Sequence, residues 1–387
     1  MKIYVYIDPD YRDSLWVSQS YRAICDEAAK KKYTVALLDC DNIFNTDIED
    51  YFSGESKRIL LVLTTSLEHS ERLAELLYKH DVHMLLVNHQ NPQISANCSA
   101  VMVDYIDGMR KIMDYLAACG RKRAALYGIN PKSSTDMIKH DYFKNLQGMK
   151  SDIHAEEIYF NKRGLEECFD YMLPNVDRYD CFVCANDIVA RFLIKKLEMI
   201  GKKVPEDIFV ASFGDYLIAQ MGDPPLTTVT VDHGELGRQA VFAYNFLRKT
   251  DSDIYMTAKV PSTLKIRRST ADMVPALPSS GRYVPAATEK VLDFLNDVAS
   301  KTILAVERML ASCDKLDLQI ISGLLNKIPY SKMAAGLFIS ENVIFYRIKR
   351  LVKIADVQNK EQLITLISSH LSQKQISEYI EADSMKQ

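Results

Sequence analysis

The 387-residue chain has one tryptophan, Trp16, and no apolar run of the roughly 20 residues that a membrane-spanning helix requires. A membrane partner is therefore not expected. It has no GxSxG, no Walker phosphate loop, no GxGxxG after a strand and no HExxH. Those absences remove the motif-bearing hydrolases, nucleotide-dependent enzymes and zinc peptidases, and no catalytic residue can be nominated. The histidines are scattered without metal-ligand spacing, and the eight cysteines occur singly except for Cys181 and Cys184. That CxxC sits in an apolar run with no second Cys/His pair, so it reads as buried strand, and neither a metal nor a cofactor is expected. Charge of one sign is also lacking: 48 Lys and Arg against 51 Asp and Glu give a net charge of −3. A protein that coats nucleic acid is excluded by that balance, and any DNA contact must come from a local patch. The opening residues MKIYVYIDPD read as a strand and its exit, not as a cleavable signal, which makes the cytoplasm the expected location.

What is present alternates between strand and helix. Lys2 to Ile7, Tyr33 to Asp39, Ile59 to Leu63 and His83 to Val87 read as strands, with helices at Ser20 to Lys32 and Glu68 to His80. Cys181 to Ala185 is a continuous apolar run that stops at Asn186 and Asp187. Apolar residues then recur at Val189, Leu193, Leu197 and Ile200, a helical spacing, before Gly201 and Pro205 stop the helix and Ile208 to Phe213 forms the next strand. The economical topology is a parallel doubly wound α/β sheet, with its ligand crevice at the strand ends.

The segment Cys184-Ala185-Asn186-Asp187, the stretch Gly201 to Asp207, Phe213, Pro225-Leu226-Thr227-Thr228-Val229 and Glu235-Leu236-Gly237 keep their order over more than fifty residues. This stretch resembles the sensor domain of the LacI/GalR repressors. The resemblance implies a two-lobed, periplasmic-binding-protein-like type I sensor over 1–270, with one lobe at about 1–117 plus 232–263 and the other at about 118–231. It further implies a sugar-like or nucleoside-like small-molecule effector held by Asn186 and Asp187. The family's arginine corresponds here to Lys139, and its pair of aspartates after the strand reads Phe213-Gly214-Asp215, with Gly214 where the ligand carboxylate is expected and Asp215 as the nearby carboxylate. Asn186 can both donate and accept, which suits hydroxyl groups. Asp8, Tyr11 and Trp16 at the first strand's exit could face the ligand from the opposing lobe, or Trp16 could be lobe packing; Asp107 is either a contact or a helix-start acid. The family's N-terminal helix-turn-helix has no counterpart ahead of the first strand, which directs the search for an output to the other end.

Three prolines and a glycine mark 271–288 as a linker, and 289–313 reads as a long helix with a broad apolar face that dimerises or docks. Four short helices follow over 314–372: Asp317 to Leu325, Ser331 to Leu337, Ser340 to Ile354 and Lys360 to Ser369, with 373–387 as a tail. Only Phe338 and Ile339 separate the second from the third, a helix-turn-helix spacing. Met333-Ala334, Leu337 to Asn342 and Tyr346 to Arg350 resemble a LuxR-type helix-turn-helix; regulators of the purine-catabolism type end in a similar Tyr-Arg helix. Lys327, Lys332, Arg347, Lys349, Arg350 and Lys353 stand against Glu341 alone between Asn326 and Lys353, a local net charge of +5. That is either a phosphate-binding surface or a solvated basic face. On the first reading Ser340 caps the third helix, Glu341, Asn342 and Phe345 meet base edges, Tyr346 lies beside them, and a homodimer binds double-stranded DNA. A ligand-independent scaffold that uses the sensor fold for protein contacts is the alternative.

Overall fold

A computed structural model describes residues 2–38, 43–44, 48–91, 94, 98–146, 153–250, 254–270 and 297–384. Two six-stranded sheets form the core of the first 270 residues. The first has the order β11-β5-β4-β3-β1-β2, from β1 (Lys2–Ile7), β2 (Thr34–Leu37), β3 (Ile59–Leu63), β4 (His83–Val87), β5 (Cys98–Val103) and β11 (Thr257–Val260), all parallel. The second has the order β12-β10-β9-β8-β6-β7, from β6 (Arg123–Ile129), β7 (His154–Phe160), β8 (Cys181–Cys184), β9 (Phe209–Gly214), β10 (Thr227–Thr230) and β12 (Thr263–Lys265), with β12 alone antiparallel. The central strands are buried along their whole length because helices cover both faces, which is why β3 reads Ile-Leu-Leu-Val-Leu. Cys181 and Cys184 are free thiols inside β8, and burial raises both thiol pKa values.

Helices α1 (Leu15–Lys30), α2 (Ile48–Tyr51), α3 (Leu67–Lys79) and α9 (His233–Lys249) clothe the first sheet. The α1–α9 crossing is close enough that a Cβ on Gly237 would lie 2.3 Å from the Ser20 carbonyl oxygen, so the Glu235-Leu236-Gly237 motif is a packing requirement. On the second lobe lie α4 (Tyr105–Ala118), α5 (Ser134–Leu146), α6 (Leu165–Met172), α7 (Asp187–Met199) and α8 (Leu217–Met221). Here the expected division of the chain is corrected. Helix α4 packs on α5, β10 and β12, and the Tyr115 hydroxyl donates to the Thr270 carbonyl, so the chain changes lobe at Asp104 and not near residue 117. The other crossings fall at Val231–Asp232 and at Pro261–Ser262, which returns β12 to the second sheet.

The expected linker 271–288, and 289–296 of the expected long helix, lie outside the described residues. The remainder of that helix is α10 (Val298–Ala311), which docks on α6, α7 and α8 of the second lobe. Beyond it α11 (Lys315–Leu325), α12 (Tyr330–Leu337), α13 (Glu341–Ile354) and α14 (Lys360–Ser368) make the helical domain. Its core holds Ile320, Leu324, Met333, Ala334, Ile344 and Ile348. The expected tail is corrected as well: α15 (Gln373–Ser384) packs along α11 with Ile376 fully buried.

Candidate functional site

A cavity of about 140 Å³ lies between the lobes. The strand ends build it: β4 delivers Asn88, β6 Asn130, β8 Asn186 and β9 Phe213, while the exit of β1 and α1 bring Tyr11 and Trp16. Two main-chain hydrogen bonds, which together make the Ser66–Ser133 bridge, join the lobes beside it. The Leu67 amide donates to the Lys132 carbonyl at 3.3 Å and the Ser134 amide to the Thr65 carbonyl at 2.8 Å. Lys139 is buried in the wall, where its Nζ donates to Asp136 Oδ1 (2.8 Å) and the Ala185 carbonyl (2.7 Å) and sits 5.1 and 4.9 Å from the Tyr105 and Phe213 rings. Asn186 is the N-cap of α7: its Oδ1 accepts the Val189 amide at 3.0 Å. The cap takes one of the two lone pairs of the Asn186 oxygen, and its NH₂ group holds no hydrogen bond among the described residues.

Of the eight residues expected at the ligand, Asn186, Lys139, Tyr11 and Trp16 line the cavity. Asp187, Asp8, Asp107 and Asp215 do not. Asp187 is completely buried; Oδ1 accepts the Ser212 and Thr228 hydroxyls at 2.5 and 2.7 Å and Oδ2 accepts the Tyr216 amide at 2.8 Å. Burial pushes its carboxyl up to about 6. It is a tie between three strands' ends, turned away from the cleft. Asp8 caps the turn after β1 and accepts the Thr64 hydroxyl, Asp107 pairs with Arg110 and Lys111 on α4, and Asp215 pairs with Arg267 at 2.5 Å. Gly214 explains why no carboxylate replaces them: its φ is +133°, and a Cβ there would stand 2.8 Å from Asp187 Oδ2.

Reading the sequence missed His233, Tyr216, Tyr105, Asn88, Asn130 and Leu304, all of which line the cavity. Polar residues at the exits of β4 and β6 were the available signal for the two asparagines. His233 lies 6.4 Å from the Trp16 ring, its Nδ1 is buried without a hydrogen-bond partner, and burial drives its imidazole down to about 4, so it is neutral at pH 7. Leu304 comes from α10, beyond the linker. One turn later Glu307, 3% exposed, accepts the Leu217 and Ile218 amides at 3.0 and 2.7 Å, which fixes α10 to the first turn of α8.

In the helical domain α12 and α13 are joined through Phe338, in the left-handed conformation at φ 57°, with Ser340 at the N-cap position but making no side-chain cap. Ile344, Ile348 and Leu351 of α13 face the core, and Glu341, Asn342, Phe345, Tyr346, Lys349 and Lys353 face out. Lys332 on α12 is exposed too. Two expected DNA contacts are otherwise engaged. Arg347 Nη1 binds Asp314 (2.7 Å) and the fully buried Asp317 (2.9 Å), and Arg350 binds Asp317 and the Ser312 carbonyl. Asp314 and Asp317 also form the capping box of α11. These arginines hold α13 to α11 and are corrected from phosphate contacts to framework. Arg347→Ala leaves Asp317 buried with one of its two arginine partners; discounted for the arginine's partial exposure, the helical domain loses about 1–3 kcal/mol, seen as an earlier first transition in thermal unfolding of the full chain.

Residues 113–270 match the family model described as a periplasmic binding protein-like domain. The HTH-type transcriptional repressor PurR of Haemophilus influenzae strain PittEE is 25% identical over 189 residues, 48% of this chain and 56% of the relative, so the chain spans little more than half the length of that protein. The NTD biosynthesis operon regulator NtdR of Bacillus subtilis strain 168 is 24% identical over 265 residues, 67% of this chain and 79% of the relative. Among solved structures, the LacI family regulator CcpA of Weissella paramesenteroides with bound glucose superposes with a TM-score of 0.55 at 19% identity, covering 70% of this chain and 99% of that one. The cellobiose complex of the regulator CelR gives 0.59 at 15%, covering 69% and 84%. The first 270 residues therefore have the two-lobed fold of LacI/GalR-type sensor domains.

Proposed function

We propose that this chain is a ligand-responsive, DNA-binding transcription regulator in which the sensor precedes a C-terminal helix-turn-helix of the LuxR or purine-catabolism kind. The observation that carries this reading is the outward face of α13. A helix after a tight turn, with buried residues on one side and Asn342, Phe345, Tyr346, Lys349 and Lys353 on the other, has the form of a recognition helix. Exposed lysines at 332, 349 and 353 supply counterion replacement on phosphates, and the apolar side chains suit thymine methyl groups. Paired modules in a homodimer would read two half-sites.

Control runs through α10. An effector between the lobes favours one arrangement of the cleft, and the cleft wall includes Leu304 and Tyr216. Glu307 grips the residues next to Tyr216, so a shift of the 214–218 segment moves the helix that carries the reader. A second reading, a ligand-independent scaffold, draws support from the main-chain clasp that joins the lobes and from Gly214; the donor-lined cavity favours the first. Selection by the full chain from a random duplex library tests the proposal. Enrichment of a two-fold symmetric sequence is expected, and a library left unenriched at low salt contradicts it.

A further inference from the structure

The asparagine and lysine side chains that line the cleft are fixed as donors. Asn186 Oδ1 accepts the Val189 amide and Asn130 Oδ1 accepts the Lys132 amide at 2.9 Å. A main-chain N–H can only donate, so both side-chain orientations are forced, and each presents its NH₂ group without a partner among the described residues. Asn88 repeats the pattern: its Oδ1 accepts the Tyr105 hydroxyl at 3.0 Å. Lys139 has used two of its three N–H groups. The carboxylate nearest the cavity, Asp136, has one oxygen on Lys139 and the other on the Asn130 amide at 3.0 Å. Asp187 is sealed behind the wall, and Gly214 admits no acid.

Resting on the reading of this cavity as a ligand site, we infer that its ligand is a single-ring aromatic or heteroaromatic carboxylic acid, bound through its acceptor oxygens, and not a polyol. Each sugar hydroxyl brings a donor that needs an acceptor, and a buried donor left unpaired costs about 1–3 kcal/mol. The fixed side-chain groups here are donors, while the hydroxyls and the His233 ring can serve either way, and a carboxylate, which only accepts, matches the fixed set. Size and walls agree. The volume of about 140 Å³ is close to the ~150 Å³ at which a protein cavity takes up benzene, one six-membered ring. The rings of Trp16, Tyr105, Phe213 and Tyr216 supply apolar faces for it. Lys139, its charge shared with Asp136, directs its remaining N–H to the acid.

Calorimetric titration and thermal shift of the full chain with benzoate and nicotinate, beside benzyl alcohol, glucose and ribose, test this. At least one acid is expected to bind saturably and raise the melting temperature, while the alcohol and the sugars do not. Asn186→Asp keeps the α7 cap, since Asp and Asn cap equally well, but turns the cleft-facing donor into an acceptor; acid affinity is expected to fall at least tenfold with the wild-type melting temperature retained. Stabilisation by a sugar alone, by no probe, or an acid affinity unchanged in Asn186→Asp overturns the inference. DNA binding measured in parallel separates the two claims: acid binding by a chain that selects no DNA sinks the regulator reading alone, and selective DNA binding without acid binding sinks only the ligand class.

Discussion

Asp187→Ala is expected to lower the stability of the second lobe by about 3 kcal/mol, read by urea denaturation of the full chain at pH 8. The substitution strands three donors in a fully buried site: the hydroxyls of Ser212 and Thr228 and the amide of Tyr216. Each belongs to a different segment, so the loss is felt at the end of β9, at β10 and at the start of α8 together. The loop from Gly214 to Tyr216, two of whose residues have positive φ, loses the carboxylate around which it is wrapped. A change under 1 kcal/mol would show that the site rehydrates and that Asp187 is no tie.

The second large effect concerns Glu307. Glu307→Ala removes both acceptors from the Leu217 and Ile218 amides and is expected to cost about 2–3 kcal/mol of docking, seen as faster hydrogen exchange across α8 and α10 at unchanged global fold. The group also titrates in a useful range. Burial, with the Asp187 charge adding to it, lifts the Glu307 carboxyl to about 7 from an ordinary 4.5. The folded state then holds this proton more tightly than the unfolded state, so the contribution to stability is greatest below pH 4.5 and is lost as pH rises to about 7. Asp187, lifted from 3.8 to about 6, slopes the same way over a lower window. Glu307→Gln, neutral at every pH, is therefore expected to abolish the pH dependence between about 6 and 7 and to leave, between 3.8 and about 6, only the slope that Asp187 contributes. An unchanged profile in that variant would place the titration elsewhere.

The strands, the crevice at their ends and the turn between α12 and α13 were legible because each rests on a local pattern. Cys181 to Ala185 followed by Asn186 announces a buried strand and a capped helix whatever the rest of the chain does. The directions of side chains were less legible. Asn186 and Asp187 are neighbours, yet one faces the cleft and the other the interior, because the partners of Asp187 come from strands 25 and 41 residues later. Arg347 and Arg350 read as phosphate ligands in the sequence, and their pairing with Asp314 and Asp317, 30 to 33 residues earlier, follows only from the fold. Leu304 and Glu307 follow a linker, and no periodicity says which lobe an apolar helix will choose. The lobe boundary failed for the same reason: α4 has the same amphipathic pattern on either sheet.

The most direct measurement is fluorescence anisotropy of the full chain on the selected duplex, titrated at several salt concentrations, beside Lys349→Glu/Lys353→Glu. Neither lysine holds an ion pair among the described residues, so the double variant should fold as the wild type does. The account predicts tight binding that weakens with salt, and in the variant a salt slope shallower by about 2 per recognition helix, with affinity down at least a hundredfold. Affinity and slope unchanged in a folded variant would contradict it and remove α13 from the DNA.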